Sequence, residues 1–265
     1  MARSADSKTS NNKVPDPDRW FSDWFQEDYL VLYRHRDVRE AQEFLDRIVP
    51  ELAPKPSGWM LDLACGAGRH AGYLASKGQQ VVGLDLSMPL LRKASASDPL
   101  LGIPWIRGDM RSIPIRDGCL SGVFNLFTSF GYFLDDRDNV RVVQEVARVL
   151  QPGGWFLLDT MNPSYVENTL VPRSEKQLGD FYVVEEREID QQTRRVIKTI
   201  QLNRGGQKKT FMESVRMYSV DDLYRILESE AIVPRILWGD YDGSDHHTNS
   251  PRTIIAAQAH ATDTI

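Results

Sequence analysis

Cysteine is scarce in this chain of 265 residues. Its two cysteines, Cys65 and Cys119, lie far apart, each within an apolar, strand-like stretch. Two separated thiols cannot supply the disulfide framework of a small secreted domain, so the sequence predicts a reducing compartment, with the cytoplasm as the default. We expect Cys65 to be a small buried hydrophobic residue without a catalytic role.

Long hydrophobic runs are also missing. No stretch approaches the roughly 18 uninterrupted apolar residues of a membrane-spanning helix. Residues 1–18 are polar and lack the apolar segment of a secretion signal. These absences predict a protein that is neither secreted nor membrane-spanning, and we expect residues 1–18 to form a disordered tail.

Positive charge is not concentrated anywhere in the sequence. The net charge is −5, and Lys and Arg form no stripe of the kind that binds phosphate backbones. A nucleic-acid partner is therefore disfavoured. The apolar fraction of 41% is enough for one sizeable core domain that carries a smaller appendage.

Strand-like and helical patterns alternate from Trp59 onward. The apolar stretches of strand length lie at 59–64, 80–85, 103–110, 119–127 and 155–161. This alternation predicts a doubly wound, mostly parallel α/β sheet with helices on both faces. Two final strands, at 233–240 and 252–259, follow a helix at 220–231 and would complete a seven-stranded sheet with a reversed edge.

Two further segments flank this core. The aromatic-rich segment 19–56 predicts a helical cover, with one helix over 19–36 and a second after Asp37. Three strand-like segments at 180–189, 194–203 and 208–218 predict a small antiparallel β insert. The predicted domains are the tail at 1–18, the helical cover at 19–56, the cofactor-binding core at 57–163, the insert at 164–218, and the C-terminal helix with the closing strands at 219–265.

The stretch LDLACGAGRH ends the first strand in a bend. Gly66 and Gly68 lie at the turn into the first core helix, where a doubly wound fold exposes backbone N–H groups to a ligand. Asp85 ends the second strand, where a carboxylate can accept both hydroxyls of a ribose. The bend also satisfies the permissive G-x-G-x-x-A dinucleotide fingerprint, so a nicotinamide or flavin enzyme is an open alternative here.

Three features favour a ligand other than a dinucleotide. Asp62 lies within the strand before the glycines, where its charge would repel a pyrophosphate but suits a ligand with a cationic end. Asp109 follows the third strand and can accept a hydrogen bond from an exocyclic amine, while Met110 packs against a ring. The third feature is the strand order with its reversed edge.

Four segments resemble the successive motifs of class I S-adenosylmethionine-dependent methyltransferases, namely LDLACGAGRH, GLDLS, RGDMRSIP and RVLQPGG. The resemblance covers residues 59–161 well. It implies a Rossmann-like methyltransferase fold and S-adenosylmethionine as the cofactor. The implied contacts are Asp62, Ala64, Gly66, Ala67 and Gly68 at the methionine end, Asp85 and Leu86 at the ribose, Asp109 and Met110 at the adenine, and Asn125, Leu126 and Phe127 beside the cofactor at the end of the fourth strand.

The residues that would act on the methyl acceptor are harder to assign. The donor in such a transfer is already activated, so positioning of the acceptor suffices and a general base is optional. The catalytic residues therefore stay unassigned, and the candidates are Tyr132, Glu213, His246 and His247. For Glu213, a paired structural carboxylate is an equal alternative, and for the two histidines the alternative is a solvated loop position.

Aromatic residues on two segments are candidates for enclosing the ligands. Phe130, Tyr132 and Phe133 follow the fourth strand, where they either line an acceptor pocket or belong to the core. Tyr29, Tyr33 and Arg36 could close over the cofactor, with core packing or a solvated face as the alternative. The loop DYDGSDHHTNSPR lacks the spacing of a calcium-binding loop, and we predict no metal site.

These patterns predict a cytoplasmic S-adenosylmethionine-dependent methyltransferase for a small-molecule acceptor, with N- or O-methylation favoured over C-methylation. A homodimer is a further expectation, whereas nucleic acid and membrane are not expected partners. Two alternatives are a nicotinamide-dependent oxidoreductase and a non-catalytic module that binds S-adenosylmethionine.

Overall fold

The computed structural model describes residues 16–33, 38–52, 57–97 and 99–260. The predicted tail at 1–18 falls largely outside these ranges, as do Arg36 and Asp37. The helices in the described chain are α1 (Trp20–Trp24), α2 (Glu27–Leu32), α3 (Val38–Ile48), α4 (Arg69–Ser76), α5 (Met88–Ser97), α6 (Asp136–Val149), α7 (Pro163–Thr169) and α8 (Val220–Ser229). None of these helices is long and apolar enough to cross a membrane.

The strands form two sheets, and their bounds are β1 (Trp59–Leu63), β2 (Gln80–Asp85), β3 (Trp105–Arg107), β4 (Leu120–Asn125), β5 (Leu150–Met161), β6 (Arg173–Leu178), β7 (Phe181–Asp190), β8 (Arg195–Arg204), β9 (Gln207–Arg216), β10 (Ile232–Trp238) and β11 (Arg252–Ala259). Seven strands make the central sheet in the order β10-β11-β5-β4-β1-β2-β3. The pairs from β5 to β3 are parallel, and β11 runs antiparallel to both β5 and β10. The predicted seven-stranded, mostly parallel sheet with a reversed edge is confirmed.

Hydrophobic clusters cover both faces of the central sheet. On one face, Leu61 and Val123 pack with valines of α6 and leucines of α8. On the other face, Met60 and Phe124 pack with α3 and α4. Consecutive residues of a strand point to opposite faces, so neighbours in β1 and β4 enter different clusters. All six residues of β4 are accordingly buried, although two of them, Ser121 and Asn125, are polar.

The insert contains four strands rather than the three that the sequence predicted. They form a separate antiparallel sheet, the insert sheet, in the order β6-β7-β8-β9. The missed strand, β6, has the sequence RSEKQL and no buried residue, because it lies at the edge of this sheet. Its partner in β7 is equally charged, and Arg173 forms an ion pair with Glu186 across the two strands at 2.6 Å. Helix α7 was also missed, although Asn162 caps its N-terminus.

The predicted single helix over 19–36 is wrong, because the chain breaks at Phe25 and Gln26 into α1 and α2. The Ser87 hydroxyl donates a hydrogen bond to the Phe25 carbonyl at 2.5 Å, which fixes the break against the end of β2. Trp20 and Trp24 are buried in a third hydrophobic cluster with residues of the insert sheet. Tertiary packing therefore decides where this helical pattern ends. The two helices together are called the cover below.

Candidate active site

A cleft of about 1260 Å³ lies at the carboxyl ends of the parallel strands, between the central sheet, the cover and the insert sheet. Pockets for a single small ligand usually measure about 300–1,000 Å³, so this cleft has room for two. Ligands of doubly wound folds bind at this edge because the strand-to-helix turns present backbone donors there.

The glycine bend forms the floor of the cleft. Gly66 and Gly68 both have left-handed backbone conformations, with φ of 56° and 77°. A Cβ atom on Gly68 would lie 2.5 Å from Cη2 of Trp105 and 2.9 Å from Cβ of Ala94. Gly68 is therefore required both by its backbone conformation and by the close packing of α4 on its neighbours.

Asp62 lies fully buried beneath this bend and lines the cleft. Burial is the main reason why its pKa rises from 3.8 to about 7, and the nearby charge of Asp85 acts in the same direction. The N–H of Ala71 opposes the rise by donating a hydrogen bond to Oδ2 at 3.0 Å. A bound cation would favour the ionised carboxylate.

Asp85 connects the end of β2 to the glycine bend. Its Oδ2 accepts a hydrogen bond from the N–H of Gly66 at 2.8 Å, and its Oδ1 accepts one from Ser87 at 2.7 Å. Burial raises the pKa of Asp85, while these backbone donors limit the rise. Each carboxylate oxygen can accept a further hydrogen bond, so the group can still receive ligand hydroxyls.

Asp109 faces the cleft but is already engaged by Arg111. Partial burial would raise the pKa of Asp109, but the hydrogen bonds from Arg111 outweigh this effect and lower it. The Nη2 of Arg111 donates to Oδ2 of Asp109 at 2.7 Å, and its Nη1 donates to Asp138. A ligand amine at Asp109 would therefore share this carboxylate with Arg111. The pairing of Asp109 with Arg111 was not predicted from the sequence.

The segment after β4 combines buried and cleft-lining residues. Asn125 is fully buried and donates from Nδ2 to the carbonyl of Leu63 at 3.1 Å, so it joins β4 to β1 and does not line the cleft. Leu126 and Phe127 do line it, as do the remaining predicted cofactor residues. The assignment of these residues to a cofactor stays a prediction.

The structure separates the four catalytic candidates. Tyr132 and Glu213 line the cleft, whereas His246 and His247 do not. His246 Nε2 lies 3.1 Å from the Thr253 hydroxyl, and burial lowers its pKa. His247 is exposed in the loop before β11. The proposed role of the histidines at the acceptor therefore gains no support from their position.

Glu213 is held by three partners. Its Oε1 accepts hydrogen bonds from Trp24 Nε1 at 2.7 Å and from the Tyr33 hydroxyl at 3.2 Å. Its Oε2 lies 2.5 Å from Nζ of Lys198. These contacts fasten the cover to the insert sheet, which favours the structural interpretation of Glu213.

Of the aromatic candidates, some line the cleft and one belongs to the core. Tyr132 packs against Trp20 and Phe25 of the cover, and Phe133 lines the cleft beside it. Phe130 is buried against Tyr218 and does not line the cleft. Tyr29 and Tyr33 line it as well.

Further residues at the cleft were missed by the sequence analysis. His70 lies buried at the start of α4, and within the described ranges its Nε2 has no hydrogen-bond partner. Burial lowers the pKa of His70 well below its usual value, so the ring is neutral. Asp159 and Arg252 form an ion pair at the ends of β5 and β11, with 2.6 Å between Oδ1 and Nη2. An acid inside an apolar strand, the signal that singled out Asp62, could also have identified Asp159.

A doubly wound sheet with a glycine bend after β1 and carboxylates near the ends of three successive strands defines a Rossmann-like fold. Residues 60–154 match the family model for a methyltransferase domain. YqeM of Bacillus subtilis (strain 168), which carries a methyltransferase name, is 34% identical over 135 residues, 49% of this chain and 51% of that protein. A fatty-acid O-methyltransferase of Mycolicibacterium smegmatis is 32% identical over 123 residues, 46% of this chain and 42% of that protein. The chain thus spans about half the length of the curated relatives it matches.

A crystal structure of an S-adenosylmethionine-dependent methyltransferase from Clostridium acetobutylicum has the same fold. The TM-score is 0.74 at 19% identity, over 88% of this chain and 96% of that one. Residues 60–154 are thus similar to a methyltransferase domain, and the fold shared with the solved structure extends over most of the chain.

Proposed function

We propose that the protein transfers a methyl group from S-adenosylmethionine to a small-molecule acceptor. One observation carries this proposal: Asp62, Asp85 and Asp109, from three successive strands, line one cleft around the glycine bend. A ligand that has a cationic end, a ribose and an adenine fits this order of carboxylates.

Each group of residues has a proposed role. Asp62 and the bend from Ala64 to Gly68 would hold the methionine end, with Asp62 facing the ammonium group. Asp85 and Leu86 would hold the ribose, and Asp109 with Met110 the adenine. Leu126 and Phe127 would lie beside the cofactor, with Asn125 supporting them from the core.

The chemistry requires little from the protein beyond alignment. Bound S-adenosylmethionine would supply an activated methyl group to a nucleophile placed in line with it. The aromatic rings of the cover would exclude water, and Tyr132 and Phe133, which line the cleft after β4, would orient the acceptor. Positioning of this kind can contribute about 7–11 kcal/mol. Nitrogen or oxygen is the favoured acceptor atom.

Calorimetry with S-adenosylhomocysteine tests the cofactor assignment. We expect Asp85→Ala to abolish detectable binding, because Asp85 both accepts the ribose hydroxyls and fixes the Gly66 amide. Asp180→Ala is the matched control, since that carboxylate is exposed in the turn between β6 and β7. Unchanged affinity in Asp85→Ala would contradict the proposed ribose contact.

Two alternatives have simple discriminating experiments. A nicotinamide-dependent oxidoreductase would be stabilised thermally by NAD rather than by S-adenosylmethionine. A non-catalytic module would bind the cofactor yet transfer no label. Incubation of the protein with methyl-labelled cofactor and a metabolite extract would identify the acceptor and exclude this second alternative.

The cellular setting is part of the same proposal. We expect a cytoplasmic protein that acts on a small molecule and binds neither nucleic acid nor membrane. A homodimer is the proposed assembly, and light scattering of the purified protein measures it directly.

A further inference from the structure

Arg252 presents unpaired hydrogen-bond donors to the cleft. It is the first residue of β11, opposite Met161 at the end of β5, and its side chain is 17% exposed. Nε and Nη2 both donate to Oδ1 of Asp159, at 2.8 Å and 2.6 Å. Within the described ranges Nη1 has no hydrogen-bond partner, and it is not among the fully buried polar atoms without one. Arg252 lines the cleft, so these two N–H groups are the donors that remain for a ligand there.

Asp159 cannot accept more donors and serves to fix this guanidinium. Besides Arg252, it accepts hydrogen bonds at Oδ2 from the N–H of Phe127 at 2.7 Å and from the Tyr241 hydroxyl at 3.0 Å. Four donors fill the acceptor capacity of one carboxylate. The Asp159 carboxylate is fully buried, so its contacts with the guanidinium are shielded from water.

The same pair stabilises a strained turn at the end of β4. Phe127 and Thr128 have φ of 57° and 60°, although neither is glycine. The Asp159 carboxylate accepts the N–H of Phe127, and the backbone carbonyl of Asp159 accepts the N–H of Thr128 at 3.0 Å. Nη2 of Arg252 donates to the Thr128 hydroxyl at 2.8 Å. Strained backbone held by several contacts is concentrated at functional sites. We therefore treat the turn at Phe127 and Thr128, together with Arg252, as one preformed surface.

This surface adjoins the proposed cofactor region at Phe127 and extends away from the cofactor carboxylates. The carboxylates proposed for the cofactor lie at the ends of β1, β2 and β3, whereas Arg252 lies at the ends of β4 and β5. A second cation, Arg69, lies with its guanidinium 3.6 Å from the ring centre of Phe127. Phe127 in turn stacks on Tyr241. Two guanidinium groups therefore flank one aromatic pair at the cleft.

We infer that Arg252 binds an anionic group of the methyl acceptor, either a carboxylate or a phosphate. A guanidinium with a fixed orientation and two remaining donors suits the oxygens of such a group, whereas a neutral acceptor would leave these donors without a charged partner. This inference rests on the proposed methyltransferase function and adds the class of acceptor.

Binding of matched probes to the protein saturated with S-adenosylhomocysteine tests the inference. The probes are 4-hydroxybenzoate, phenyl phosphate and the neutral 4-hydroxybenzamide, measured by calorimetry. We expect at least one anion to bind about tenfold more tightly than the amide, the effect of one charge-assisted hydrogen bond. In Arg252→Lys this preference should fall to less than about threefold, because lysine can keep the ion pair with Asp159 but lacks the second pair of donors.

Two variants serve as controls. Arg204→Lys changes an exposed arginine at the far end of β8 and should leave the preference intact. If Arg252→Lys does not fold, the double variant Asp159→Asn, Arg252→Gln removes both buried charges and should also lose the preference. Affinity for S-adenosylhomocysteine should be unchanged in the variant used.

Three results would overturn the inference. The first is equal binding of anions and amide, or binding of none of the probes, by the wild-type protein. The second is an anion preference that survives in Arg252→Lys. The third is an equal loss of S-adenosylhomocysteine affinity, which would assign Arg252 to the cofactor. Wild-type protein that fails to bind S-adenosylhomocysteine at all would instead refute the proposed function, and the inference with it.

Discussion

The guanidinium of Arg195 donates a hydrogen bond to the carbonyl of Tyr132 at 3.0 Å and so joins the insert sheet to the wall of the cleft. Arg195 is 3% exposed, and its other partners are the carbonyls of Gly131, Phe133 and Ser214 and the Ser214 hydroxyl. All of these are neutral oxygens. Burial accordingly lowers the pKa of Arg195, although the group stays charged.

Replacement of Arg195 by lysine should destabilise the protein. Lysine has three donors in place of five, so at least two of the five acceptor oxygens lose their hydrogen bond from this side chain. We expect a loss of about 3 kcal/mol in the free energy of unfolding, measured by urea denaturation. Arg194→Lys, at the exposed neighbouring position, is the control and should change stability little. Equal stability of the two variants would show that the carbonyl contacts contribute nothing.

Asp62→Asn should stabilise the ligand-free protein above pH 7. Burial raises the pKa of Asp62 in the folded state from 3.8 to about 7, so its contribution to stability is complete below pH 3.8 and is lost as the pH rises through about 7. Asparagine can still accept the Ala71 hydrogen bond but carries no charge. The gain in the free energy of unfolding should approach about 4 kcal/mol at pH 8 and vanish near pH 4.

Urea denaturation at several pH values measures this difference, with Asp180→Asn as an exposed control. The same variant should bind S-adenosylhomocysteine more weakly, because the ammonium group loses its partner. A variant that is less stable than wild type at pH 8 would be inconsistent with the burial of a charged carboxylate.

Gly68→Ala should cost more stability than Gly78→Ala. Both glycines have left-handed φ, of 77° and 80°, so each alanine carries about 1–2 kcal/mol of backbone strain. A Cβ on Gly78 meets no atom within 4 Å, whereas on Gly68 it meets the ring of Trp105 at 2.5 Å. The clash should add about 1–3 kcal/mol to the loss in the free energy of unfolding, which chemical denaturation measures. Trp105→Leu combined with Gly68→Ala should recover part of this difference if the ring causes it.

Glu213→Gln should loosen the cover without unfolding the core. The carboxylate holds Trp24, Tyr33 and Lys198 together, and glutamine leaves the lysine without its ionic partner. We expect faster amide hydrogen exchange in residues 20–32, with exchange in the central sheet unchanged. If Glu213 were catalytic, the variant would instead transfer methyl groups more slowly, with no change in amide hydrogen exchange. Lys209→Met, which removes the exposed contact to Asp28, is the matched control.

The sequence predicted the central sheet because each of its elements carries its own signal. Buried strands such as β1 consist mostly of apolar residues, and the bend at Gly66 and Gly68 has a local conformational requirement. Asp62 and Asp85 stood out for a related reason, since acids in or at the end of apolar strands are rare without a function. Both carboxylates do line the cleft.

The tertiary structure decided which distant residues meet. The edge strand β6 has no apolar face, so its pairing with β7 was invisible in the sequence. The break between α1 and α2 depends on a hydrogen bond from Ser87, which lies 62 residues away. Similarly, Arg252 and Asp159 are 93 positions apart and meet where β11 returns beside β5.

The sequence by itself thus determined the elements of the central sheet and the residues at the ends of its parallel strands. Periodicity reports how an element is buried, and that depends on its own residues. The partners of Glu213, the separation of His246 and His247 from the cleft, and the ion pair of Arg252 were decided by the tertiary structure. Charged and polar side chains choose partners across the fold, and no local pattern records which strand ends and loops will be neighbours.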